Sequence, residues 1–288
     1  MKNLNHDLKE LCRRNRDGSY ASQHARLAIL TQAAHQLPEL GFRDLRATSL
    51  KPKHVIALVD HWKSQGLSTG TLKNRLTELR WWAAKVNKAN VVARDNEAYG
   101  IARRSYVTNQ DRSRVLTAGD LERVTDRYTR VSLQLQAAFG LRREESIKIR
   151  PDWADRGERL RLKASWTKGG REREVPIRTA EQRAVLTAAK ALAAKGSLIP
   201  PDRSYVQQLQ RFRAQCQAAG IQGVHGHRHL YAQARYRELT SWACPAQGGP
   251  QLKQLSLEQR GLDRQARLTI SAELGHGRID VVAIYLGR

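Results

Sequence analysis

Cysteine is nearly absent from this chain. Cys12, Cys216 and Cys244 are the whole complement, an odd number at wide spacing, which excludes a disulfide framework and matches no zinc module. They read as reduced thiols, and no metal is expected. Long apolar runs are missing too: nothing approaches the roughly 20 residues of a membrane-crossing helix, and the opening MKNLNHDLKELCRRN lacks the apolar core of a signal peptide. A cytoplasmic protein without a membrane partner is the expectation. Repeats and low-complexity tracts are also lacking. Most telling is the shortage of negative charge. Only 27 Asp and Glu stand against 51 Lys and Arg, a net of +24.

What is present fits a folded protein. Hydrophobic residues make up 40% and charged residues 27%, and 288 residues suit two modest domains. So large a positive excess makes a polyanion the natural partner, with nucleic acid the first candidate and a membrane surface the rival. The basic residues are spread through both halves, so the charge belongs to folded surfaces rather than to a disordered arm.

The first ~105 residues read as helices separated by short turns. Ala25, Leu27, Ala28, Leu30 and Ala33 recur near helical spacing over 21–36, and Val55, Ile56, Leu58, Val59 and Trp62 over 51–64 after a cap at Ser49. Over 68–87, Leu72, Leu76, Leu79, Ala83 and Val86 form one stripe, with Lys73, Arg75, Arg80 and Lys85 largely off it. A solvated surface is the ordinary meaning of a charged helix face. In a chain this basic, those four residues are candidate DNA contacts. Of the adjacent Trp81 and Trp82, at most one need be core. RRSYVTNQDRSR, 103–114, is polar and aperiodic, a linker that places a domain boundary near 105–115; Thr117 with Asp120 then caps a new helix, LERVTDRYTRV. RLRLKAS and REREVPI alternate as strands around the turn TKGG, a hairpin with Lys168 at its tip. Helical character returns from Glu181.

Several polar residues in the second half are weak signals singly but form an ordered set. Arg142 and Glu145 stand three apart in AAFGLRREESIKI, hence on one helix face. Then come Lys168, His225 and Arg228 in HGHRH, His276 in ELGHGRI, and Tyr285. His227 and His229 with Cys216 match no zinc spacing, and His229 reads as a packed residue.

The set resembles the tyrosine recombinase or phage integrase family. Gly140, Leu141, Arg142 and Glu145 match its G-L-R-x-x-E box; His225, Arg228 and His229 its H-x-x-R-H box; Leu274, Gly275, His276, Ile279 and Tyr285 its last box; Lys168 matches the hairpin lysine. The resemblance covers the C-terminal ~170 residues firmly and the N-terminal part in style. It implies a mainly α protein with a small antiparallel β-sheet: a helical core-binding domain over 1–108 and an α+β catalytic domain over 109–288.

It also implies chemistry. Two guanidinium groups, Arg142 and Arg228, hold the scissile phosphate through charged hydrogen bonds. Tyr285 attacks, with His225 as its base, because a phenol is a poor nucleophile near neutral pH. Lys168 protonates the leaving 5′ oxygen, with Lys163 available as a substitute. His276 hydrogen-bonds the phosphate, Glu145 orients its neighbours, and Arg171 joins the DNA contacts. The 3′-phosphotyrosine link conserves bond energy, so no cofactor is required. The expected partner is double-stranded DNA, gripped by a homotetramer with an accessory DNA-bending or directionality factor, in the cytoplasm at the nucleoid. Site-specific integration or excision of a mobile element is the implied function. The alternatives are a type IB topoisomerase-like monomer and a silent architectural DNA-binding protein.

Two departures from the family pattern stand out. The stretch between Arg228 and His276 is long, its excess including CPAQGGPQLKQLSLEQRG, which reads as a surface excursion, an inserted loop or an extra helical hairpin. Only Leu286, Gly287 and Arg288 follow Tyr285, where relatives commonly carry a segment that docks on an adjacent protomer.

Overall fold

The computed structural model describes residues 3–103 and 106–288, and the chain divides into two compact units, 1–105 and 106–288. The first is helical: α1 (Leu4–Arg14), α2 (Tyr20–Glu39), α3 (Pro52–Ser64) and α4 (Thr69–Lys85). Leu30, Leu37, Leu58, Trp62, Leu79 and Trp82 are among its fully buried side chains, each worth roughly 1.5–3 kcal/mol on leaving water. Both indoles keep a polar partner in that core: Trp62 Nε1 donates to Gln36 Oε1 at 2.8 Å and Trp82 Nε1 to the Ala47 carbonyl at 2.9 Å. Trp81 stays half-buried and donates to Asp17 at 2.8 Å. Ser49 does not cap α3 as expected. It ends a 3-10 turn (Ala47–Ser49), and Pro52 opens the helix at the one position where its missing N–H costs nothing.

The second unit contains α5 (Ala118–Arg123), α6 (Arg127–Phe139), α7 (Arg143–Lys148), α8 (Pro151–Ala154), β1 (Arg159–Leu162), β2 (Arg173–Pro176), α9 (Ala180–Ala193), α10 (Tyr205–Ala218), α11 (Gly226–Thr240), α12 (Leu257–Glu273) and α13 (Ala283–Leu286). α6 packs on α7, α9 and α11, and α11 packs on α12 and α13. LERVTDRYTRV is two helices rather than one. Thr117 and Asp120 exchange the expected cap bonds, but Asp126 then starts α6 by accepting from Thr129 N at 2.8 Å. The strands pair antiparallel with Leu162 opposite Arg173. β1 stops short of the expected KAS because Ala164–Trp166 winds into a 3-10 turn that buries Trp166.

The long stretch before His276 is only partly an excursion. Cys244 and Ala246 are buried in the main core of this unit, 3-10 turns and an exposed start to α12 follow, and the rest of α12 packs on α11. Among the described residues no helix is long and apolar enough to cross a membrane.

Candidate active site

Two helix ends converge in the second unit. Gly140, at φ +60°, ends α6; a Cβ there would lie 2.7 Å from the Tyr231 ring, so only glycine fits. The carbonyls of Gly140 and Leu274, the C-terminal caps of α6 and α12, both point at Arg228 on α11. Helix C-termini carry unpaired carbonyls and partial negative charge, which suits them to hold a cation. Arg228 is only 1% exposed. Its Nη1 donates to Gly140 O at 2.6 Å, Nη2 donates to Leu274 O and lies 3.2 Å from His276 Nε2, and Nε donates to the Tyr285 hydroxyl at 3.2 Å. Burial lowers Arg228 to about 10, which leaves it protonated at neutral pH.

Tyr285, on α13, is thereby placed among imidazoles. Its ring centroid lies 4.8 Å from that of His229, 5.6 Å from His276 and 5.9 Å from His225. His225 is exposed at the mouth of the cluster, His276 half-buried and His229 buried. All three are held below the ordinary imidazole value: His225 by desolvation and then by Arg228 and Arg142, His229 to about 4 by burial and His225, and His276 to about 3 by burial and Arg228. They are therefore neutral acceptors at pH 7. His227 turns elsewhere, Nδ1 2.9 Å from the Arg114 carbonyl oxygen, and among the described residues no three His, Cys, Asp or Glu side chains gather around a metal position.

The lowered value of buried His229 has a consequence for stability. The unfolded chain takes up this proton near pH 6.5 and the folded chain only near 4, so stability falls as pH drops through that window. His229 alone accounts for a loss of about 2 kcal/mol between pH 7.5 and 5. Stabilities from urea unfolding at the two pH values should differ by at least that much, and His229→Gln should shrink the difference by about that amount.

Arg142 does not share a helix face with Glu145. It is the N-cap of α7, and Glu145, at the third helical position, reaches back to it, accepting from Arg142 N at 2.7 Å and from Nη1 at 2.8 Å. Glu145 is fully buried, and its second partner went unrecognised in the sequence: Arg173 on β2 clamps it with Nη1 at 2.9 Å and Nη2 at 2.6 Å, while Arg173 Nε donates to the Glu273 carbonyl at 2.9 Å. Burial alone would raise the Glu145 carboxyl, but Arg173, with Arg142 and Arg228, holds it at about 2. Arg173 stands two residues before buried Val175, on the inward face of its strand. That alternation was the signal for it.

The remaining candidates lie outside this cluster. Lys168 is exposed in the turn after β1, and no hydrogen bond or ion pair joins it to the cluster among the described residues. Arg171 comes nearer, its guanidinium lying against Gly277 in the space a side chain would fill. Lys163 sits over the Trp153 ring at 4.3 Å and the Trp166 ring at 5.7 Å. On α4, Lys85 pairs with Asp17 at 2.9 Å, Arg80 donates to Ala93 O at 2.9 Å and Asn96 Oδ1 at 2.8 Å, and Arg75 lies over Trp62 at 4.8 Å. Lys73 makes no such bond among the described residues.

Residues 1–91 match the family model described as Phage integrase, N-terminal, and residues 105–234 match that described as Integrase. The chain belongs to the phage integrase family of tyrosine recombinases, enzymes that cleave and rejoin DNA. No curated protein matches it significantly. Solved structures share its fold. A lambda integrase dimer bound to a COC′ core site aligns over 98% of this chain and 78% of its own, with a TM-score of 0.63 and 14% identity. XerH recombinase in a post-cleavage complex with palindromic difH covers 99% and 81%, with a TM-score of 0.58 and 13% identity. The Tn1549 transposon integrase (residues 82–397) with circular intermediate DNA covers 100% and 96%, with a TM-score of 0.53 and 13% identity.

Proposed function

We propose that this chain is a site-specific recombinase whose Tyr285 oxygen attacks a DNA phosphodiester, forming a 3′-phosphotyrosine bond as the P–O5′ bond breaks. One observation carries the reading: Arg228 Nε donates to the Tyr285 hydroxyl at 3.2 Å while Arg142 and Arg173 crowd one buried carboxylate. Three guanidinium groups against Glu145 leave a net positive cluster beside a phenol, an arrangement suited to a phosphate. In the reaction Arg142 and Arg228 hold the non-bridging oxygens, where charge builds. Arg228 Nε also stabilises negative charge on the phenolic oxygen as its proton leaves for a neutral imidazole. His225, open to the site mouth, is the base, and His276, already beside Arg228, completes the phosphate contacts.

The leaving 5′ oxygen takes a proton from Lys168. Two facts support that residue over Lys163: Lys163 is engaged with two tryptophan faces, and Arg171 at the end of the same turn lies beside the His276 loop. Lys73, Arg75, Arg80, Lys85 and Arg171 serve as DNA contacts in this reading, Lys73 and Arg171 more directly than the three that are partly committed within the protein. Rejoining reverses the steps on a new 5′ end. The lambda integrase tetramer on a Holliday junction supports a tetrameric assembly on DNA, and a DNA substrate supports a location at the nucleoid.

Incubation with a library of nicked duplexes tests the proposal. A protein–DNA species that survives denaturation and decays with strand joining is expected. Tight binding to every duplex with no such species overturns the reading in favour of an architectural protein.

A further inference from the structure

Tyr285 lies in a helix of four residues, too short to hold itself, since one turn does not repay the cost of fixing its dihedrals. Beyond the Arg228 bond to its hydroxyl, three hydrogen bonds from elsewhere fasten it and the residues after it through the backbone. Gln233, on α11 and fully buried, donates through Nε2 to the Tyr285 carbonyl at 3.2 Å and to Asp111 Oδ1 at 2.9 Å. Both partners are acceptors, so the amide orientation is fixed. Arg288 N donates to Asn109 Oδ1 at 2.8 Å, and Arg267, paired with Asp263, donates to Gly287 O at 3.0 Å. Gly287 is needed in the crossing, because a Cβ there would stand 2.8 Å from Asn109 Oδ1 and from Ala246 N. Asp111 is itself braced, accepting from Ser113 N at 2.8 Å.

From this geometry we propose that Asn109, Asp111 and Gln233 are positioning residues for the nucleophile. The polar segment that opens the second unit clasps the tail beyond Tyr285, and Gln233 ties the same segment to the tyrosine's own backbone. The clasp fixes where the phenolic oxygen stands relative to Arg228, and none of its members touches the reacting atoms. The inference rests on reading Tyr285 as the nucleophile.

Asn109 and Asp111 are exposed, so variants there retain the fold. Asn109→Gly removes the acceptor while keeping the φ of +52° that the backbone adopts, and Asn109→Asp retains an acceptor oxygen. Single-turnover adduct formation on a nicked duplex should slow by roughly 10- to 100-fold in Asn109→Gly and in Gln233→Leu, the scale of a small misplacement of a reacting group. DNA affinity should stay within about twofold, and Asn109→Asp should recover most of the rate. Hydrogen exchange over 282–288 should rise in Asn109→Gly and not in Asn109→Asp. Faster exchange with an unchanged adduct rate overturns the positioning role, as does loss of DNA affinity in parallel with rate. If the unaltered protein forms no adduct on any duplex, the nucleophile reading and this inference fall together; if it does and the variants match it, only this inference falls.

Discussion

Arg228→Lys is expected to slow covalent adduct formation by roughly 10³-fold or more, since losing even one positioned donor to a developing charge costs about 10²–10³. The guanidinium spans two helix-terminal carbonyls, an imidazole and the Tyr285 hydroxyl at once. An ammonium on a flexible stem has three donors and no planar fork, and cannot reach all four. The substitution also leaves the Gly140 or Leu274 carbonyl without its partner in a dry interior, at about 1–3 kcal/mol per orphaned group. Stability and chemistry therefore fall together, so the rate is to be measured well below the unfolding transition, with DNA affinity alongside. A rate within about tenfold of the unaltered protein would remove Arg228 from the phosphate site.

Glu145→Gln is expected to destabilise the second unit by about 3–5 kcal/mol, the cost of breaking a buried pair and leaving charge behind. The charge left behind is double: Arg173, 7% exposed, and Arg142 both lose their anion. For a unit of this size the change corresponds to roughly 10 °C in Tm. The pH dependence follows from the depressed carboxyl. Its folded value of about 2 lies below the ordinary 4.5, so its contribution is complete above 4.5 and is lost as pH falls toward 2. Denaturant midpoints between pH 5 and 2.5 should decline less steeply in the glutamine variant. An unchanged Tm at pH 7 would mean that the arginine cluster tolerates itself without the carboxylate.

Local rules made much of this protein legible. The leucine stripe of α4 and the hairpin follow from periods of 3.6 and 2, and glycine at 140 marks a helix end beside the first arginine. The ordered polar set pointed to one cluster, and Arg142, Arg228, His225, His276 and Tyr285 do meet. What sequence spacing hid was partnership across the fold. Arg173 reads as one more charge on a basic strand until Val175 fixes which way it faces. Gln233 is an ordinary helix residue until the segment at 109–111 crosses the tail. Arg142 and Glu145 stand at helical spacing, yet a cap bond joins them because α7 begins one residue later. Arg80 and Lys85 look free on a helical wheel, while their partners, Asn96 and Asp17, come from connecting segments no periodicity describes.

Mapping the covalent bond is the most direct test of the central claim. Protein trapped on a nicked duplex should, after nuclease and protease digestion, yield one nucleotide-bearing peptide, with the added mass on Tyr285, and Tyr285→Phe should give none. A nucleotide on any other residue, or an adduct that persists in Tyr285→Phe, would contradict the account.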